Sequence, residues 1–130
     1  MSQKEIEIIL ARQLASYLAL PIFIVDPEGT LLYYNEPAEA ILGRRFAETG
    51  ELRAEEWSTA FTPMDDAGAP VPPEGLPLVI ALRQRQPAHR RFWIRGLDGV
   101  RRHIELTALP VVGQAGRFLG GIAIFWELPA

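Results

Sequence analysis

Few side chains in this sequence are spaced to do chemistry together. Asp65 and Asp66 are adjacent, but two carboxylates work as general acid and base only where their surroundings push the two pKa values apart. They stand in a Gly- and Pro-rich stretch, where carboxylates set turns and face water, so the pair is read as turn chemistry. His89 and His103 both fall on strand-like segments. A hairpin centred on Gly99 places His103 beside Arg95, about six residues along the strand from His89, or ~20 Å at ~3.3 Å per residue. The two histidines then cannot share a metal, and both are expected to be solvated. Ser16 and Ser58 lack a neighbouring His and Asp motif, and Gly113 to Gly121 lacks both the lysine of a phosphate-binding loop and the spacing of a dinucleotide fingerprint. The sequence contains no cysteine, which excludes disulfides, thiolate metal sites and cysteine nucleophiles. No catalytic residue and no metal ligand is assigned, and the chain is not expected to be an enzyme.

The elements that surround these residues follow from composition and periodicity. A chain of 130 residues suits one domain that buries roughly two thirds of its unfolded surface. With 48% hydrophobic and 22% charged residues it reads as globular rather than disordered. No apolar run approaches the ~20 residues of a membrane span, and the N-terminus lacks the succession of a signal peptide; a cytoplasmic protein without a membrane partner is expected. Residues 1–80 carry 13 acids against 5 bases and residues 81–130 carry 3 against 8, which polarises the molecule. Arg90, Arg91, Arg95, Arg101 and Arg102 flank apolar strand positions, as solvated residues of one hairpin would, so no nucleic-acid partner is expected.

Ser2-Gln3-Lys4-Glu5 forms a capping box, and Ile6, Ile9, Leu10, Gln13, Leu14, Tyr17 and Leu18 recur at helical steps until Pro21. The spacing predicts an amphipathic helix over 1–19, ahead of a domain over 20–130. Ile22 to Asp26 and Thr30 to Tyr34 are β-prone runs joined by a Pro-Gly turn, and Glu36 to Leu42 is a short helix stopped at Gly43. Arg44 to Pro73 offers only small helical turns and loops. A helix is predicted over Glu74 to Arg85, with Pro77 in its first turn. Strands follow over His89 to Arg95, Val100 to Val111 and Phe118 to Glu127, separated by Gly-containing turns. Short connections make these strands antiparallel, giving an α+β fold with a five-stranded sheet.

Alternation assigns Phe92, Ile94, Ile104, Leu106, Ala108, Ala123 and Phe125 to one face of the sheet, with Phe23 and Val25 from the first strand. The opposite face holds Ile22, Ile24, Trp93, Ile122, Ile124 and Trp126 beside Arg91, Arg95, His103 and Glu105. A soluble sheet seldom leaves so much apolar surface bare. The stripe of Ile6, Ile9, Leu10, Leu14 and Tyr17 is its expected cover, from a second copy in a homodimer or else from the same chain.

Several of these signals stand in a known order. Asp26 and Gly29 in the first turn, Asn35 at the end of the second strand, Leu42-Gly43 after the first short helix, then Asp98-Gly99, Pro110, Gly116 and Glu127 resemble the PAS family over residues 20–128. The resemblance implies a five-stranded antiparallel sheet with helices on one face, enclosing a pocket, in a sensory or regulatory and often dimeric module. Signalling partners of that kind would be a histidine kinase, a cyclase or a transcription regulator. By family position and hydrophobicity, the candidate pocket is Phe23, Val25, Phe46, Trp57, Leu78, Phe92, Ile94, Ile104, Leu106 and Phe125, whose plain alternative is ordinary core. The light-sensing subgroup carries a reactive cysteine after Leu-Gly-Arg; here Leu42-Gly43-Arg44-Arg45 leads to Phe46, so a flavin photoadduct is impossible. Ile94, Ile104 and Phe125 stand where that subgroup holds the flavin with amides, and the helix over 74–85 has no histidine for haem. No cofactor is expected, and an unidentified small apolar molecule is left as the ligand. The alternative functions are a small isomerase or dehydratase with a base in an apolar pocket, and a ligand-free dimerisation adaptor.

Overall fold

Two polar side chains organise the beginning of the domain. The Asp26 carboxylate accepts the backbone N–H groups of Glu28 and Thr30, each at 2.9 Å, and Gly29 turns the chain at φ 90°, a conformation that costs only glycine little. This joins β1 (Ile22–Val25) to β2 (Leu31–Tyr34), with a bulge between Ile24 and Val25 that sharpens the twist. Asn35, fully buried, then caps α1 (Glu36–Leu42): its side-chain oxygen accepts from Ala38 N–H at 3.2 Å and from Ile22 N–H at 2.9 Å. Its amide nitrogen donates to the Leu20 carbonyl at 2.8 Å. One side chain thus ties the start of β1, the end of β2 and the start of α1. Gly43 ends the helix at φ 82°, as its sequence signal predicts.

The computed structural model describes residues 19–129, together with Leu10 and Gln13 upstream, so the expected helix over 1–19 lies almost wholly outside the described residues. The stretch from Arg44 to Pro73 contains α2 (Phe46–Thr49), α3 (Ala54–Ala60) and a loop. The helix expected from Glu74 begins later, as α4 (Pro77–Gln84), because Pro73–Gly75 forms a separate 3-10 turn and Leu76 is extended. Pro77 occupies the first turn of α4. The last strands are β3 (Ala88–Arg95), β4 (Arg101–Val112) and β5 (Phe118–Glu127).

The five strands lie in the order β2-β1-β5-β4-β3, every neighbour antiparallel, which is the α+β sheet the sequence predicts. Both outer strands are partly covered by chain. Leu31 N–H donates to the Leu52 carbonyl at 2.6 Å beside β2, and Met64 and Trp93 exchange two backbone hydrogen bonds of 2.8 Å beside β3. The β3–β4 turn centres on Asp98 rather than Gly99, so His103 pairs with Trp93 and not with Arg95. His89 pairs with Thr107, four residues further along β4.

The inner face of the sheet packs under the helices. Phe23, Val25, Phe92, Ile94, Ile104, Ala108, Ala123 and Phe125 are buried there with Trp57, Leu78 and Ala81, and Leu106 packs against them half-buried. Burial contributes about 1.5–3 kcal/mol for each large side chain. The C-terminus of α1 docks onto the β3–β4 turn: Leu97 N–H donates to the Leu42 carbonyl and Arg102 Nη1 to the Ile41 carbonyl, both at 2.8 Å. Arg102 also pairs with Asp98 at 2.9 Å and is largely covered, not solvated as its place in the arginine-rich hairpin suggests.

Candidate functional site

A cavity of about 70 Å³ lies between the inner sheet face and the helices. Strands supply Phe23 from β1, Phe92 and Ile94 from β3, Ile104 and Leu106 from β4, and Ala123 and Phe125 from β5. The other wall is Leu42, Trp57, Ser58, Phe61, Pro63, Leu76 and Leu78. Trp57 is fixed by two contacts, its indole N–H donating to the Gly29 carbonyl at 2.6 Å and its ring meeting Phe23 edge-on at 5.6 Å. The β1–β2 turn therefore sets the position of a cavity wall.

Eight of the ten sequence-derived pocket residues line this cavity, and Val25 and Phe46 do not. Val25 pairs with Gly121, over which Leu78 and Leu82 close, so that end of β1 is solid core. Phe46 meets Tyr34 edge-on at 5.3 Å, and Tyr34 stacks on Phe23 at 6.1 Å, standing between Phe46 and the cavity. The Tyr34 hydroxyl donates to the Arg44 carbonyl at 2.8 Å and lies 2.8 Å from Thr49 Oγ1; burial raises its pKa above the ordinary value, only partly offset by the Thr49 hydrogen bond. The other six walls are Ala123, which sequence reasoning placed on this sheet face but not in the pocket, and Leu42, Ser58, Phe61, Pro63 and Leu76, which it missed. Ser58, Phe61 and Pro63 come from the stretch without periodicity, where only the apolar Phe61 offered a signal.

Among the described residues the lining carries no acid, base or histidine, and Ser58 is its one hydroxyl. The polar residues singled out in the sequence lie elsewhere. Asp65 Oδ1 accepts from Ala67 N–H and Ala69 N–H, each at 2.9 Å, which is turn chemistry, whereas exposed Asp66 accepts from Trp93 Nε1 at 3.2 Å across 27 residues of sequence. His89 Nδ1 lies 2.8 Å from Thr107 Oγ1 and its Nε2 3.1 Å from Glu105. His103 is half-buried rather than fully solvated. Its ring stacks on Trp93 at 4.4 Å and its Nε2 is buried without a hydrogen-bond partner, 3.6 Å from Asp66. Ser16 lies outside the described residues. Among the described residues there is no cluster of three metal-ligating side chains and no helix long and apolar enough to cross a membrane.

On the outer face, Ile22 and Ile24 are already buried, with Tyr33, Ile122 and Ile124 packed against them. Trp93 is sandwiched between His103 and the Arg101 guanidinium, 4.3 Å from its ring. Trp126 is exposed. This face is less bare than strand alternation suggests. Leu10 is helical and exposed, while Ile6, Ile9, Leu14 and Tyr17 lie outside the described residues.

No family model matches the sequence, and no curated protein does. Solved structures do match, and they define the class: the chain has a PAS-like fold. It is similar to the PAS domain of BvgS from Bordetella pertussis at 17% identity and a TM-score of 0.63, over 95% of this chain and 87% of that one. It is similar to a PAS domain from a two-component sensor histidine kinase at 13% identity and a TM-score of 0.60, over 97% and 100%. An RNA-binding light-oxygen-voltage receptor matches at 22% identity and a TM-score of 0.68, over 98% of this chain but 34% of the receptor.

Proposed function

We propose that this chain is a sensory or regulatory module of the cytoplasm that takes a small apolar molecule into its interior and relays the occupancy through association. The observation that carries the reading is the cavity of about 70 Å³ between sheet and helices, walled almost entirely by apolar side chains. Its size is far below the ~300–1,000 Å³ of sites for drug-sized ligands. A flavin or haem is therefore a poor occupant, and Ile94, Ile104 and Phe125 in the walls offer no hydrogen bonds to a flavin's polar edge. Catalysis finds no support in a lining without a titratable group; an isomerase or dehydratase would need one there.

Relay would run through a homodimer formed on the outer face around Trp126, or through a larger signalling protein. A histidine kinase is the favoured partner, since domains of this fold occur in one; a cyclase or a transcription regulator would serve the same logic. Native mass spectrometry of freshly purified protein tests the reading. A retained small molecule, released on denaturation, is the expected result, whereas protein of bare mass that also takes up no apolar probe would leave only the ligand-free adaptor.

A further inference from the structure

We propose that His103 and Asp66 form a pH-sensitive clasp, which on protonation of the imidazole fastens the loop after α3 to the outer face of the sheet. The inference goes beyond the ligand-binding reading and does not depend on it. The loop over 62–70 is braced from within: Asp65 Oδ1 accepts from Ala67 N–H and Ala69 N–H, and Asp65 N–H donates to the Ala69 carbonyl at 2.9 Å. Thr62, at its base, stands in the left-handed region at φ 47°, an uncomfortable conformation for a β-branched residue. The loop therefore depends on its ties to β3. Met64 and Trp93 exchange two backbone hydrogen bonds, Arg95 N–H donates to the Phe61 carbonyl at 2.7 Å, and Trp93 Nε1 donates to Asp66 Oδ1 at 3.2 Å.

His103 stands beside this junction with a tie left open. Its Nε2 is buried without a hydrogen-bond partner among the described residues, and Asp66 Oδ1 lies 3.6 Å away, just beyond hydrogen-bond reach. The carboxylate is already aimed, because Trp93 Nε1 holds the same oxygen, which has room for a second donor. Stacking on Trp93 at 4.4 Å holds the imidazole in place. A neutral ring offers Asp66 an ordinary hydrogen bond at best, whereas an imidazolium offers a charge-assisted one, shorter and roughly twice as strong. Histidine side chains change charge near pH ~6.5. An imidazolium that gains a carboxylate partner stabilises the closed loop fully below that pH, and the contribution is lost as pH rises above it. The other charges on this face are Arg91 and Arg95 on β3 and Arg101 and Glu105 on β4, while β5 brings Trp126 and its Glu127 lies 4.0 Å from Arg102. Glu105 is shared by Arg91 and His89, and Arg101 lies over the Trp93 ring. The arginines oppose a charge on His103, so Asp66 is the acid that favours it at contact distance. Phe61 and Pro63, at the head of the loop, wall the cavity, so the clasp sets how firmly that wall is held.

The test is amide hydrogen exchange of the full chain at pH 5.5 and 7.5, read by NMR as protection relative to intrinsic rates. The amides of Met64 and Trp93 report the loop, and the Leu31 amide, bonded to Leu52 at the other border of the sheet, reports the rest of the domain. Protection of Met64 and Trp93 is expected to rise about threefold over Leu31 at the lower pH, the scale of an ion pair with one exposed partner. Asp66→Asn, which keeps an acceptor for Trp93 Nε1, and His103→Gln should each abolish the rise. No rise in the wild type, an equal rise at Leu31, or a rise that survives Asp66→Asn overturns the clasp; exposed Asp66 tolerates its substitution even where His103→Gln disturbs the fold.

Discussion

The Asn35 side-chain oxygen accepts the Ile22 backbone N–H at 2.9 Å across 13 residues of sequence, so the residue that starts α1 also fixes the first residue of β1. Replacing it leaves buried Ile22 and Ala38 N–H groups and the Leu20 carbonyl without this partner. Asn35→Ala is expected to destabilise the domain by about 3 kcal/mol, measured by urea unfolding. A loss under about 1 kcal/mol would show that the three contacts are dispensable.

Gly120 and Gly99 both have positive φ, 127° and 82°, but their surroundings differ. A Cβ on Gly120 would overlap the Val25 carbonyl oxygen of the adjacent strand, whereas one on Gly99 meets nothing within 4 Å. Gly120→Ala should cost about 3 kcal/mol or more and Gly99→Ala about 1 kcal/mol. Equal losses in denaturant would refute the clash.

The Arg102 hydrogen bond to Asp98, with help from the Val100 N–H, holds the Asp98 carboxyl below the ordinary carboxylate pKa. A carboxylate with a depressed folded pKa stabilises above its unfolded pKa, near 3.9, and that stability disappears as pH falls through the lower folded value. Asp98→Asn should therefore lower Tm at pH 7 and converge with wild type as pH approaches 2. A difference that persists undiminished in acid would assign the effect to packing.

If association runs through the outer face, sedimentation of the full chain at micromolar concentration should give a dimer, and Trp126→Glu, which places a charge at an exposed outer position, should shift it to monomer. A monomeric wild type would end the homodimer reading.

The sheet, its order of elements and its two faces were legible because strand alternation and turn chemistry are local signals: Asp26, Gly29, Asn35 and Gly43 each act within a few residues. Much of the helical wall of the cavity was not legible. Ser58, Phe61 and Pro63 are placed by long-range ties, such as Trp57 to Gly29 across 28 residues and Phe61 to Arg95, which no spacing rule encodes. The histidine positions failed for a simpler reason. Moving a hairpin centre by one residue, from Gly99 to Asp98, shifts every pair by two, and that set His103 against Trp93 instead of Arg95.

The segments beside the two border strands have a further consequence. Met64 occupies backbone hydrogen-bonding groups of Trp93 on one side, and Leu52 takes the Leu31 N–H on the other. Free strand edges are templates for ribbon-like growth between molecules. With these positions already bridged by the chain's own backbone, strand addition is disfavoured at both borders.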